Sequence, residues 1–214
     1  MITVHLADCM DIMKPYSNGW FDLACVDPPY GLPNDAVHGR GKLRSRALNS
    51  MNMEWDVAPK DEYFNELLRI SKNQIIWGGN YFQLPPTRGF IIWDKEQPFD
   101  NFSACEFAWT SFNMPSKIYQ EATTRTGEIK IHPTQKSVKL YTWIFKRYLP
   151  NGGKVIDTHG GSMSSVISAA KAGNIEMVCS EIDEYYFNDA EKRIKTYFDQ
   201  GNLFQSKPDI IFIR

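Results

Sequence analysis

The chain has 214 residues, of which 43% are hydrophobic, and its formal net charge at pH 7 is −1. This length predicts a single domain that buries about 70% of the surface of its unfolded chain. The four cysteines form no C-x-x-C pair and no apolar run reaches the roughly 18 residues of a membrane span, so we expect no structural zinc, no disulfide framework and a soluble, cytoplasmic protein.

The near-neutral charge by itself argues against a nucleic-acid-binding protein, because neutralising phosphates requires Lys and Arg. The charges are unevenly distributed, however. Residues 36–53 contain no Asp or Glu. The cations of this basic segment recur at every second residue and are Arg40, Lys42, Arg44 and Arg46. Taken alone, the segment is best explained as a solvated surface loop.

Short runs rich in Val and Ile alternate with helical patterns, which predicts a mostly parallel sheet joined by crossover helices. The predicted strands are Thr3–Leu6, Asp22–Val26, Gln74–Trp77, Phe90–Trp93, Lys154–Ile156 and Glu176–Cys179. The predicted helices are Asp61–Ser71, Ser137–Leu149, Ser162–Ala172 and Asp183–Gln200. Residues 94–131 break the pattern and are predicted to form an irregular insertion or binding region. The tail "KPDIIFIR" is compatible with an edge strand.

The second predicted strand ends in the sequence "DPPY", Asp27 to Tyr30. Pro29 cannot donate to a sheet ladder and Pro28 disfavours helical geometry at Asp27, so the strand ends with Asp27 at its carboxyl end. Ligands of open α/β sheets bind at that end. An ordinary turn uses the same residue types, but this tetrapeptide is expected by chance in only about one such chain in a thousand.

A later segment, "GKVIDTHGGSMSSVISAA", combines a strand ending at Asp157, the glycine turn Gly160–Gly161 and a helix beginning at Ser162. Such a turn brings backbone N–H groups and a helix N-terminus close to a ligand, as in nucleoside sites. It is not a phosphate loop, because no Lys follows the second glycine. Two other strands end in the acids Asp8 and Glu181, and the second of these is equally compatible with binding a ribose and with capping a helix.

The motifs "DPPY", "HPTQK" (His132–Lys136) and "DTHGGSMSS" (Asp157–Ser165) together resemble the amino DNA methyltransferases, in the motif order of their beta group. The segments "IIWGGNYF" (Ile75–Phe82) and "CEFAWTSF" (Cys105–Phe112) are similar to those of small phage-type adenine methyltransferases. The resemblance spans nearly the whole chain. It implies one methyltransferase domain over residues 1–214.

The resemblance implies a Rossmann-like, class I methyltransferase fold. This fold has a seven-stranded, mostly parallel sheet of order 3-2-1-4-5-7-6 with helices on both faces. The chain would begin at the third strand of that order and continue into the fourth, which ends at Asp27. The first and second strands would come last and end at Asp157 and Glu181, so that Asp27 and Asp157 would leave neighbouring strands.

The activity implied is transfer of a methyl group from S-adenosylmethionine to the N6 amine of adenine in DNA, by an adenine-specific enzyme of the kind found in restriction-modification. The carboxylate of Asp27 and the carbonyl of Pro28, held by Pro29, would accept hydrogen bonds from the amine, and Tyr30 would stack on the flipped-out base. The methyl group would move by direct displacement, without a covalent nucleophile. Methylation of cytosine N4 or of adenine in RNA, and a catalytically weak DNA-binding relative, are the alternatives.

The resemblance also assigns cofactor contacts. They fall on the residues Asp8, Asp27, His132, Thr134, Lys136, Asp157, His159, Gly161, Ser162 and Glu181. Lys136 would be a charge partner of the methionine carboxylate. The sequence departs from the family pattern where Thr158, His159 and Met163 replace Pro, Phe and a loop Gly, and where Ser137 replaces a Pro; these changes put the cofactor geometry in doubt.

The expected partner is double-stranded DNA, contacted through the basic segment 36–53 and the irregular region 94–131. Homodimerisation is common in this group and is expected here. No metal is expected, because the four histidines are scattered along the chain and form no ligand cluster. A dinucleotide oxidoreductase is disfavoured, because "GGSMSS" lacks the G-x-G-x-x-G spacing.

Overall fold

The structure is a computed structural model that describes residues 1–32, 57–97, 103–122, 126–201 and 208–214. Its strands are β1 (Ile2–Leu6), β2 (Leu23–Val26), β3 (Gln74–Trp77), β4 (Phe90–Asp94), β5 (Cys105–Thr110), β6 (Lys117–Gln120), β7 (Gly153–Asp157), β8 (Ile175–Glu181) and β9 (Ile210–Ile213). Its helices are α1 (Cys9–Met13), α2 (Asp61–Ile70), α3 (Val138–Tyr148), α4 (Ser164–Ala172) and α5 (Glu184–Gly201). Every strand and helix predicted from the sequence overlaps one of these elements.

The nine strands of the described residues form one sheet in the order β6-β4-β5-β3-β2-β7-β8-β1-β9. Strand β5 is antiparallel to both of its neighbours, whereas the other pairs are parallel. The order implied by the resemblance corresponds to β1-β8-β7-β2-β3-β5-β4 and is confirmed. Strands β9 and β6 extend the two edges, so that the sheet has two strands more than the seven expected.

Strands β5 and β6 lie within residues 94–131, where the sequence pattern predicts irregular structure. Their sequences, CEFAWT and KIYQ, mix polar and apolar residues and lack the Val and Ile runs of a buried strand. Strand β6 has alternating exposed and half-buried residues and pairs with β4 at the edge of the sheet. The tail forms strand β9, which pairs in parallel with β1 at the other edge of the sheet.

Alternate residues of β2 face opposite sides of the sheet and belong to two separate hydrophobic clusters. Leu23 and Cys25 pack in the cluster that includes residues of α3, α4 and α5, whereas Ala24 and Val26 pack with α1 and α2. Helices therefore cover both faces, as predicted. All four β2 residues are buried, as expected for a central parallel strand. Among the described residues, no helix is long and apolar enough to cross a membrane.

Helices α2 and α3 pack against the sheet through apolar residues spaced three and four apart. Helix α2 buries Tyr63, Phe64, Leu67 and Ile70. Helix α3 begins after Ser137, whose Oγ accepts a hydrogen bond from the backbone N–H of Leu140 at 3.0 Å. Serine at this position therefore caps the helix, which a proline cannot do with its side chain.

The parallel pairing of the central strands gathers the strand-ending acids at one edge of the sheet. Strand β2 pairs with β7, so Asp27, which follows β2, and Asp157, which ends β7, leave neighbouring strands in the same direction. Strand β8 pairs with β7 and ends at Glu181, and β1 pairs with β8 and leads to Asp8. This is the carboxyl edge, where open α/β sheets bind their ligands.

Candidate active site

The carboxylate of Asp27 is held by two side chains. The hydroxyl of Tyr30 donates to Oδ1 at 2.7 Å, and Nζ of Lys136 donates to Oδ2 at 2.5 Å. The side chain of Asp27 is 13% exposed. Burial raises the pKa of Asp27, and the ammonium of Lys136 opposes that rise. The structure thus brings Lys136 to a carboxylate that lies 109 positions earlier in the chain.

The ammonium of Lys136 lies between two carboxylates. Its Nζ is 3.1 Å from Oε2 of Glu106 in β5, and Oε1 of Glu106 is 2.7 Å from Nζ of Lys95. The Lys136 side chain is 2% exposed, and its Nζ lies 5.0 Å from the ring centroid of Trp77. Burial acts to lower the pKa of Lys136, but the two carboxylates outweigh burial and raise it. Lys136 is therefore charged at neutral pH.

The pKa of Glu106 also reflects this arrangement. Burial acts to raise it, but Lys136 and Lys95 together hold it at about 2. Sequence reasoning did not single out Glu106 or Lys95 as site residues. The one signal was that Glu106 lies in "CEFAWTSF", a segment noted for its resemblance to the small phage-type enzymes.

The ring of Tyr30 packs against the segment that follows β3. It stacks on Tyr81 with the ring centroids 5.0 Å apart and the planes at 22°, and it meets Phe82 edge-on at 6.2 Å. Gly78 has a φ of +67°, and a Cβ built on it would lie 2.2 Å from Cε1 of Tyr30. The glycine in "IIWGGNYF" therefore makes room for the tyrosine ring.

The carboxylate of Asp157 is buried at the end of β7. Oγ of Ser165 donates to Oδ2 at 2.5 Å, and the backbone N–H of His159 donates to Oδ1 at 3.2 Å. Burial raises the pKa of Asp157 to about 7. Asp157 therefore fixes the start of the glycine turn and the first turn of α4 at the same time.

The glycine turn is tied to the neighbouring strand β8. The backbone N–H of Gly161 donates to Oε2 of Glu181 at 2.7 Å, and the N–H of Gly160 donates to the carbonyl of Ser180 at 2.8 Å. A Cβ on Gly160 would lie 2.7 Å from Sγ of Cys179, so the turn approaches β8 too closely for a side chain. Glu181, predicted to bind ribose, here also orders the turn.

Three departures from the family pattern have a structural explanation. Met163 has a φ of +56°, the left-handed conformation that favours glycine, and its side chain is fully buried in the hydrophobic core. Nδ1 of His159 is 3.0 Å from Oγ1 of Thr158, which is 2.6 Å from the hydroxyl of Tyr63. Burial lowers the pKa of His159 to about 4, so the ring is neutral at pH 7.

The "HPTQK" segment packs against the glycine turn. Nδ1 of His132 is 3.1 Å from Oγ1 of Thr134, and its ring contacts Tyr186 with the centroids 4.3 Å apart. Burial lowers the pKa of His132 to about 3. Oγ of Ser164 donates to the carbonyl of Lys136 at 2.6 Å, which links this segment to the first turn of α4.

The remaining predicted site residues lie in different surroundings. Asp8 is exposed and caps α1 by accepting from the N–H of Met10 at 2.7 Å. The carbonyl of Ser162 accepts from Nη1 of Arg193 at 2.5 Å. The predicted DNA-contacting residues Arg40, Lys42, Arg44 and Arg46 lie outside the described residues. The described part of the chain contains no cluster of His, Cys, Asp and Glu that could hold a metal ion.

The residues at the carboxyl edge of the sheet fit a cofactor that consists of a nucleoside and a positively charged amino acid part. The edge offers carboxylates at the ends of β7 and β8, which suit an amine and ribose hydroxyls as partners. The side chain of Met163 points into the core, and His159 packs on Tyr63 with the rings 5.3 Å apart. The unusual residues of the turn are therefore accommodated within the protein's own packing.

A family model described as DNA methylase, of the N6 and N4 amino type, matches residues 74–192, which is more than half of the chain. The chain belongs to this family. It was predicted from the sequence motifs, and that identification is confirmed. No curated protein matches the chain at a significant level.

Solved structures of similar fold include M1.HpyAVI in complex with S-adenosylmethionine, with 20% identity and a TM-score of 0.55 over 91% of this chain and 99% of that one. TTHA0409 from Thermus thermophilus, also in complex with S-adenosylmethionine, has 13% identity and a TM-score of 0.61 over 100% and 98%. The cytosine-N4-specific PvuII DNA methyltransferase has 13% identity and a TM-score of 0.60 over 96% and 88%. At these identities the likeness shows the fold, and it confirms the predicted methyltransferase architecture.

We expect Gly78→Ala to destabilise the protein more than a glycine replacement at an open position. Gly127 has a φ of +70° and nothing within 4 Å of a built Cβ, so Gly127→Ala carries only the backbone cost of about 1–2 kcal/mol. Gly78→Ala adds displacement of the Tyr30 ring. Urea unfolding of both variants measures the difference, and equal losses would show that Gly78 does not make room for Tyr30.

We expect Met163→Ala to be more destabilising than Met163→Gly. Both lose the buried side chain, at a cost of about 2–5 kcal/mol, but only glycine removes the cost of the left-handed backbone. Equilibrium unfolding of the two variants tests this order. If the alanine variant were the more stable of the two, Met163 would not be held in a strained conformation.

Proposed function

We propose that this protein transfers a methyl group from S-adenosylmethionine to the N6 amine of adenine in double-stranded DNA. The observation that carries the proposal is the position of Asp27. Its carboxylate lies at the carboxyl edge directly after β2, beside the strand that ends in Asp157. The target base and the cofactor would meet between these two acids.

The exocyclic amine of adenine is a poor nucleophile, because its lone pair is delocalised into the ring. Two acceptors aimed at the amine hydrogens favour a pyramidal nitrogen and direct its lone pair away from them. Asp27 retains capacity for this task, because Tyr30 and Lys136 occupy only two of about four lone-pair positions on its carboxylate. The Pro28 carbonyl would be the second acceptor, fixed by Pro29.

The cofactor would supply the electrophilic methyl group. The residues that would hold it are those of the glycine turn and the strand ends, with Asp157 near the amino acid part, Glu181 at the ribose and Asp8 at the adenine. Gly161 and Ser162 would contribute backbone groups. His132 and Thr134 would line the same side, because the His132 ring lies against Gly161.

Tyr30 would stack on the target base once that base has left the duplex, which compensates an unstacking cost of a few kcal/mol. Its ring stacks on Tyr81 and lies against Gly78. The basic segment 36–53 would contact the DNA backbone through Arg40, Lys42, Arg44 and Arg46. We further propose that residues 1–214 act as one methyltransferase domain in the cytoplasm, as a homodimer.

Methylation of cytosine N4 is the second candidate, and the likeness to the PvuII enzyme favours it. We place adenine first because Asp27 stands where the cytosine-N4 enzymes more often carry Ser. Adenine in RNA would be a further candidate substrate for the same chemistry. A DNA-binding relative with little activity is suggested by Thr158, His159 and Met163, but the packing of these residues within the protein argues against a damaged turn.

Sequencing DNA from cells that express the protein, with a method that detects modified bases, tests the substrate and its site together. We expect N6-methyladenine at one short sequence motif. N4-methylcytosine would select the second candidate. If the DNA is unmodified and the protein does not bind S-adenosylmethionine in a titration, the remaining interpretation is a DNA-binding relative of these enzymes that lacks activity.

Asp27→Ala tests the assigned acceptor. We expect a loss of methyl transfer of at least about 100-fold, as when a positioned polar partner of a transition state is removed, with binding of S-adenosylmethionine retained. Asp189→Ala is the matched control, because Asp189 lies on α5 and its carboxylate pairs with the exposed Lys192 of the same helix. Full activity in Asp27→Ala would remove Asp27 from the reaction.

A further inference from the structure

Four charged side chains form a row of alternating sign that leads away from Asp27. This partly buried charge row consists of Asp27, Lys136, Glu106 and Lys95, and its successive contacts measure 2.5, 3.1 and 2.7 Å. Its members come from the end of β2, the segment before α3, strand β5 and the residue after β4. The row has two positive and two negative charges and is therefore neutral as a whole.

A neutral row lets the Lys136 ammonium remain charged in the interior, since an unpaired buried cation is very costly. Neutrality alone, however, requires only one carboxylate for one ammonium. The ammonium has three N–H donors; one donates to Oδ2 of Asp27, and Oε2 of Glu106 forms an ion pair with the same ammonium at 3.1 Å. Lys95 then compensates the extra negative charge on Glu106.

Sharing the ammonium has a chemical consequence at Asp27. If Lys136 faced Asp27 alone, its full charge would draw on the carboxylate lone pairs that the target amine needs. If Lys136 were absent, burial beside Glu106 would favour the protonated, non-accepting form of Asp27. An ammonium divided between two carboxylates keeps Asp27 ionised and still a strong acceptor.

We propose that Glu106 is a positioning residue that divides the Lys136 ammonium between two carboxylates and thereby sets the acceptor strength of Asp27. The inference rests on the proposed function for its catalytic meaning. It also assigns Lys136 to Asp27, whereas sequence analysis placed Lys136 at the methionine carboxylate of the cofactor.

The charged and titratable groups around Asp27 determine how the pKa of Asp27 changes when one of them is removed. Lys136 and Glu106 act on it from across the site, and Tyr30 donates to it from the same turn. The more distant titratable groups whose own pKa values respond to Asp27 are Cys25, Tyr63, Tyr141 and Asp157. Of all these groups only Lys136 is a cation, so removing it acts in the direction opposite to removing Glu106.

The test compares Glu106→Gln with Lys136→Met. In Glu106→Gln a neighbouring negative charge is lost and Lys136 turns fully to Asp27, so the pKa of Asp27 falls. In Lys136→Met the two carboxylates are left together, so the pKa of Asp27 rises. Because the ionised form is the active one, the acid limb of the pH–rate profile moves to lower pH in Glu106→Gln and to higher pH in Lys136→Met.

The rates should follow these shifts. In Lys136→Met, each unit by which the pKa of Asp27 rises above the assay pH lowers the ionised fraction and the rate about tenfold. In Glu106→Gln the rate on the pH-independent plateau falls, whereas KM for S-adenosylmethionine is unchanged. Glu106→Asp, which keeps the charge, restores the plateau in part. A merely structural residue would not move the acid limb in a defined direction.

Glu191→Gln is the control for loss of an ion-paired carboxylate. Glu191 binds Lys195 on α5 and Arg214 in the tail, away from the charge row. Circular dichroism and unfolding establish that each variant is folded. If Lys136→Met does not fold, Lys136→Gln, which is also uncharged, replaces it, and Glu106→Gln still gives the sign of the shift.

A ¹³C NMR titration of the Asp27 carboxyl group, with its signal assigned from Asp27→Asn, measures the pKa of Asp27 without requiring methyl transfer. Opposite shifts of the Asp27 pKa in the two variants support the inference, whether or not methyl transfer is detected. A lack of methyl transfer would count against the proposed function alone. An unchanged Asp27 pKa in both variants, or loss of S-adenosylmethionine binding in Lys136→Met with no shift at Asp27, overturns the inference while leaving the proposed function intact.

Discussion

The site depends on the parallel pairing of β2 with β7, two strands that lie more than one hundred residues apart in the chain. Asp22 secures this pairing at the amino end, because its Oδ2 accepts from the N–H of Lys154 and its own N–H donates to the Lys154 carbonyl. At the other end the same pairing sets Asp27 beside Asp157. A slip by one residue would turn every side chain of β2 to the opposite face of the sheet.

A second set of hydrogen bonds joins the parts of the carboxyl edge to one another. Lys136 donates to Asp27 through its side chain and accepts from Ser164 through its carbonyl, so it joins the end of β2 to the first turn of α4. Glu181 performs a similar task for the glycine turn by accepting from Gly161. The groups that would meet the target base and those that would meet the cofactor are thus parts of one hydrogen-bonded unit.

The sequence predicted the central strands, the covering helices and the acids at the strand ends, because buried parallel strands carry long apolar runs and end abruptly in polar residues. It missed β5 and β6, whose mixed composition gives no such run. It also missed Glu106, since an acid within a strand has no local feature that marks a long-range partner. Two of the residues that depart from the family pattern, Ser137 and Met163, are explained by a helix cap and a buried side chain, which only packing reveals.

We expect the edge beside Asp27 to methylate an exocyclic amine of a DNA base. The sharpest test is mass spectrometry of the nucleosides released from duplex DNA after incubation with the purified protein and isotopically labelled S-adenosylmethionine. The expected product is labelled N6-methyldeoxyadenosine. Label found on cytosine C5, or no labelled nucleoside from DNA of any sequence, would rule out this function.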